Sequence, residues 1–159
     1  MNLMTWSLLT RLLVPELQTH AEYFSLNVAR MAAFTPMPLK TVYPASKACV
    51  SSFSRSLARE LKEASINVGV LHPGPILTNP DVIIRIIKQG KNGKRGLFPA
   101  RVLARMSIDG VRKGKHIMVP GLANKLNRFF LATMPSGILM SFLFKVGSRE
   151  IAEEKKYAA

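Results

Sequence analysis

The chain has 159 residues, 48% of them hydrophobic, enough for one domain with a buried core and too many for a disordered class. Its 23 Lys and Arg against 9 Asp and Glu leave a net charge of +14, which suits either an anionic partner or a solvated basic face. A single cysteine, Cys49, excludes an internal disulfide and reads as a small packed residue. His20, His72 and His116 lack ligand spacing, so no metal site is expected.

Two further classes drop out. Phe98 is the lone aromatic in the basic stretch from Arg85 to Lys115, and no nucleic-acid-binding signature accompanies it. Arg11 interrupts the N-terminal apolar stretch and no basic segment precedes it, so a secretory signal is not read there and the cytoplasm is the expected compartment.

In chain order, residues 3–19 carry Leu8, Leu9, Leu12, Leu13 and Leu17 at helical spacing, with Pro15 expected to kink the helix. The run from Phe24 to Val28 reads as a strand, and Pro36 and Pro38 hold residues 34–40 in a loop. A second long helix is expected over 41–64, packing through Ala48, Val50, Phe53, Leu57, Ala58 and Leu61. Ser51, Ser52 and Ser54 suit either a helix–helix contact or solvent. The β-branched run over 66–72 reads as a buried strand that stops at Pro73-Gly74.

Beyond it, the apolar segment between Pro80 and Gly90 fits a short helix or lid, or ordinary packing. Gly90, Gly93 and Gly96 lie among Lys91, Lys94 and Arg95 with no strand before them, so they read as a loop and not as a phosphate-binding turn. A helix is expected over 99–113 with Val102, Leu103, Met106, Ile108 and Val111 inward, then a short strand near 116–120. Residues 122–134 are amphipathic and 138–144 nearly all apolar, both shorter than the ~20 residues that span a bilayer. With Lys125, Arg128, Lys145 and Arg149, the segment 122–147 could lie on a membrane surface, cap a pocket for a long apolar ligand, or pack against a partner. Residues 150–159 read as a polar, frayed end.

The most informative pair is Tyr43 and Lys47, in Val42-Tyr43-Pro44-Ala45-Ser46-Lys47-Ala48. Four residues is about one helical turn, so phenol and ammonium share a face and the cation favours the phenolate. Such a tyrosine can pass a proton to a carbonyl or take one from an alcohol.

Together with the strand ending in Pro73-Gly74-Pro75-Ile76-Leu77-Thr78, this helix resembles the short-chain dehydrogenase/reductase family, whose Tyr-x-x-x-Lys helix precedes a strand ending in Pro-Gly-x-x-x-Thr. The segment from Asn2 to Leu17 resembles the family's central helix, and Phe24 to Val28 the strand before its catalytic serine. The resemblance covers the later half of the family's domain only. It implies a partial Rossmann-like, doubly wound parallel α/β sheet over 1–121, followed by a helical tail over 122–159. The first half of that domain, with its Gly-rich turn, is not in this sequence, which suggests a truncated form.

By resemblance, the activity is an NAD(P)-dependent interconversion of a carbonyl and a secondary alcohol. Tyr43 would be the acid/base. Lys47 would tune it and hold the nicotinamide ribose, and Asn2 would support a proton relay. Pro73, Gly74, Ile76 and Thr78 would border the nicotinamide of NAD or NADP. The two long helices would form a homodimer. One departure stands out: the family serine precedes the tyrosine by thirteen residues, and that place is Arg30, with Ser25 too early in its strand to substitute. The alternative implied is a catalytically silent relative that acts by dimerising or by docking on a membrane.

Overall fold

The computed structural model describes residues 3–17, 23–64, 66–77 and 97–158. Asn2, Thr78, the segment between Pro80 and Gly90 and the glycines 90, 93 and 96 lie outside the described residues.

Three strands form one parallel sheet: β1 (Phe24–Val28), β2 (Asn67–Leu71) and β5 (Ile117–Met118), in the order β1-β2-β5. Phe24 stands opposite Asn67 and Val28 opposite Leu71, while Val70 stands opposite Ile117. Strand β2 is central and buried on both faces, and Val68, Val70 and Leu71 fill it on either side. Its alternation sorts the core. Val68 and Val70 point toward α1 (Leu3–Leu17) and α2 (Val42–Glu60); Val70 packs with Ala29 and Val50, and Val68 with Ala58 and Ile66. Leu71 points the other way, to Leu103 and Val111 of α3 (Ala100–Arg112) and to Met118. Helices thus lie on both faces of the sheet, as parallel strands require.

Gly69 makes the α3 side possible: a Cβ there would lie 2.9 Å from both Met118 Cε and Val111 Cγ2, so glycine lets α3 and β5 close onto β2. On the other side a buried polar link ties three elements together. Trp6 Nε1 donates to Asn27 Oδ1 at 3.2 Å, and Asn27 Nδ2 donates to Ser54 Oγ at 3.0 Å. These bonds satisfy polar groups that burial would otherwise penalise.

The long helices and three strands stand where the sequence predicts, but several details differ. A second, two-stranded parallel pair, β3 (Ile76–Leu77) with β4 (Phe98–Pro99), was not predicted. Pro15 lies inside α1, which ends two residues later. Cys49 is exposed, because α2 turns Val50, Ser51, Ser54 and Ala58 inward and Cys49 sits about 100° off that stripe. Ser51 and Ser54 are accordingly buried within the chain and unavailable to a helix–helix contact between copies, whereas Ser52 is exposed. In α3 the inward stripe is Leu103, Ser107, Gly110 and Val111, which leaves Val102 and Met106 exposed.

The tail forms two helices, α4 (Leu122–Thr133) and α5 (Ser136–Ala158). The last residues are therefore helical and not frayed: beyond Gly147 no glycine or proline interrupts a run rich in Ala, Glu and Lys. Among the described residues, no helix is long and apolar enough to cross a membrane.

Candidate active site

The site forms at the carboxyl ends of β1 and β2, where an open parallel sheet leaves a crevice for ligands. Backbone bonds tie the two strand exits together: Ala29 N–H donates to Leu71 O at 2.9 Å and Met31 N–H to Pro73 O at 3.2 Å. Past β1 the chain makes an extended residue at Arg30 and then a 3₁₀ turn, Met31–Phe34. Past β2 it runs through buried His72 and Pro73 to Gly74.

Helix α2 begins beside this crevice. Pro44 falls in its first turn, where a missing N–H costs nothing because those amides have no intrahelical acceptor. Tyr43 precedes it and is 43% exposed, and the Lys47 Nζ stands 6.0 Å from the ring centroid, so the two side chains share one face. Arg30 reaches the same place: its Nε donates to Tyr43 Oη at 3.1 Å. The guanidinium thus meets the phenol from the position where a hydroxyl was expected. Ser25 lies five residues back along β1, about 16 Å away on strand geometry, and cannot replace it.

Pro73 and Gly74 lie at the exit of β2, where Pro73 O accepts from Met31 N–H. Ile76 belongs to β3 and packs on the Leu71–Leu103–Val111–Met118 cluster. Gly74 also seats α4, since a Cβ there would meet the Asn124 side chain at 2.7 Å. Asn124 is itself fixed by donation from Nδ2 to Pro120 O at 2.7 Å.

Two clefts are lined by chain neighbours of Arg30 and Tyr43, and neither residue is in their walls. One, of about 340 Å³, is lined by Phe34, Thr35, Pro36, Thr41, Ala45 and Met140 and holds a buried Thr35 hydroxyl with no partner. The other, of about 800 Å³, lies between Met31, Gly74, Pro75, Asn124, Phe130 and Phe142. Both are walled mainly by apolar groups.

A third feature went unread in the sequence. His72 is fully buried, shares a 2.9 Å hydrogen bond between Nε2 and Ser51 Oγ, and stacks on Phe34 with ring centroids 4.4 Å apart. The guanidinium of Arg128 in α4 also stands over the Phe34 ring, 4.5 Å from its centroid. Burial, reinforced by the charges of Arg128 and then Arg55, pushes the imidazole down to about 4, so it is neutral at physiological pH. The only sequence signal was a polar ring at the end of an otherwise apolar strand.

A parallel sheet with helices on both faces, and a tyrosine–lysine helix opening at the carboxyl edge of its strands, define an open α/β architecture. The chain belongs to the short-chain dehydrogenase family, whose model matches residues 1–84. It is similar to the very-long-chain 3-oxoacyl-CoA reductase of Anas platyrhynchos, 38% identical over 77 residues that cover 48% of this chain and 25% of that protein. Among solved structures it resembles a 7beta-hydroxysteroid dehydrogenase, with TM-score 0.72 and 17% identity over 89% of this chain and 53% of that one. It also resembles the 3-ketoacyl-(acyl-carrier-protein) reductase of Brucella melitensis complexed with NADH, with TM-score 0.54 and 26% identity, covering 74% and 52%. The chain thus spans about a quarter of the Anas protein and about half of each solved chain.

Proposed function

We propose that this chain carries the proton-transfer half of a nicotinamide-dependent oxidoreductase that interconverts a carbonyl and a secondary alcohol. The observation that carries the reading is the convergence of Tyr43, Lys47 and Arg30 beside the Pro73–Gly74 exit of β2. A bound nicotinamide would supply or accept the hydride. Lys47 and the Pro73–Gly74 backbone fit its ribose and ring, with Ile76 and Thr78 next along the chain, and Asn2 is assigned the relay role by resemblance. The pyrophosphate-binding strand and Gly-rich turn of the family are not among these 159 residues.

Tyr43 gives a proton to the carbonyl oxygen in reduction and recovers it in oxidation. Because Arg30 donates to Oη, the phenol oxygen serves as acceptor toward Arg30 and its own proton is free to point at substrate. The other N–H groups of the guanidinium supply the donor to the substrate oxygen that the family takes from serine. The two apolar clefts hold the body of the substrate. As in the family, the chain is taken to act as a homo-oligomer through α1 and α2.

A second reading, a silent relative that acts only by association, is favoured by Arg30 itself, since a fixed charge beside the nicotinamide opposes its oxidised, cationic form. Titration of the chain with NADH and NADPH, followed by nicotinamide fluorescence, separates the two. Saturable binding in the micromolar range supports the oxidoreductase. No binding at millimolar cofactor supports the silent relative.

A further inference from the structure

Helix α4 is built inside out. Two of its polar residues face the body of the protein: Asn124 is buried against Gly74, and Arg128 lies on Phe34. Its apolar residues face away. Leu122, Leu126, Phe129 and Phe130, at i, i+4, i+7 and i+8, form one stripe with exposures of 72%, 51%, 64% and 62%. Phe129 and Phe130 meet edge to face at 6.3 Å, so the stripe presents a joined aromatic surface. Such a face needs a cover.

Charge identifies the cover. No acidic residue occurs between Asp109 and Glu150, so every charged side chain from Leu122 to Arg149 is basic, and of these Lys125, Lys145 and Arg149 are exposed. Lys125 follows Leu122 by three residues and precedes Phe129 by four, so it borders the stripe directly. A second copy would bring the same positive surface against this one, within a chain of net charge +14, and repel it. An anionic lipid surface offers both hydrocarbon for the stripe and opposite charge for its border.

The geometry points to α4 as an interfacial anchor that lays Leu122, Leu126, Phe129 and Phe130 into the headgroup region of an anionic membrane. In α5, Ile138, Phe142 and Phe144 are exposed as well, but Leu139 between them is buried and Met140 lines the smaller cleft, so the unbroken outward stripe belongs to α4. Leu126 and Phe130 also rim the larger cleft, so docking sets the mouth of that cleft at the bilayer. The assignment does not depend on the redox chemistry proposed above.

The test is flotation of the full chain with phosphatidylcholine vesicles containing about a third phosphatidylserine, compared with phosphatidylcholine alone. Flotation with the anionic vesicles, weakened by high salt and reduced about tenfold or more in a Leu122→Glu/Phe129→Glu double variant of unchanged helical circular dichroism, is the expected result. Lys125→Glu, a purely surface change, reduces binding to anionic vesicles while leaving the small neutral-vesicle binding unchanged, and keeps the test open should the double variant misfold. Absence of flotation, or equal flotation by the variants, overturns the proposal. So does self-association without vesicles that the double variant abolishes, since a second copy would then cover the stripe.

Discussion

Arg30 changes how proton transfer at Tyr43 is arranged. The guanidinium holds the phenol oxygen at 3.1 Å and is a donor that cannot give up its proton at working pH, whereas a serine could donate and accept. Arg30→Ala removes the donor and should lower turnover about 10²-fold, while Arg30→Ser keeps a donor at that place and should stay within about tenfold of the parent. Removing the fixed charge should also tighten oxidised cofactor relative to reduced cofactor, so fluorescence and calorimetric titrations of Arg30→Ser should show that ratio shift severalfold. Equal behaviour of the Ala and Ser variants would deny Arg30 its role.

His72 predicts a pH effect of stated sign. Its folded value, lowered to about 4, lies below the ordinary 6.5, so the unfolded chain binds the proton more readily. Its contribution to stability is complete above about pH 6.5 and is lost as pH falls toward 4, a change of about 3 kcal/mol. Urea midpoints measured from pH 7.5 down to 4.5 should therefore fall, and His72→Asn should flatten that slope. A parallel slope in the variant would assign the loss to other groups.

At the scale of elements, two glycines set the packing that aims the site. Gly69→Ala forces a methyl against Val111, whose branched side chain cannot swing away freely, and should cost about 1–3 kcal/mol in denaturant unfolding. Gly74→Ala displaces Asn124 and should loosen α4 from the strand exit with a loss of similar size. A variant as stable as the parent would mean that α3 or α4 has room to shift. These contacts also explain what the sequence hid. Where a glycine lets a helix come close, the inward position can be small and polar, so Ser107 takes it, with Oγ donating to Leu103 O at 2.7 Å, and Val102 and Met106 are left outside. Hydrophobicity alone assigns the opposite facing. The strands were legible for the complementary reason: β2 lies in the middle of the sheet, and burial on both faces leaves a continuous apolar run.

For the whole molecule, the tyrosine–lysine spacing and the Pro-Gly strand exit carried a family resemblance, and it was that resemblance that implied a parallel α/β sheet with helices on both faces. The Arg30–Tyr43 bond, the Phe34–His72–Arg128 stack and the outward stripe of α4 were not legible. Each arises from elements brought together by the fold, and no local spacing encodes them. The charge distribution falls between these cases, since its excess was evident in the sequence while its placement beside an apolar stripe needed the helix faces. The most direct measurement is the loss of NADH or NADPH absorbance as the chain reduces a panel of apolar ketones, compared between the parent and Tyr43→Phe. The account predicts turnover in the parent and a fall of about 10³-fold or more in the variant. Equal turnover in both, or saturable cofactor binding with no reduction of any carbonyl, would contradict it.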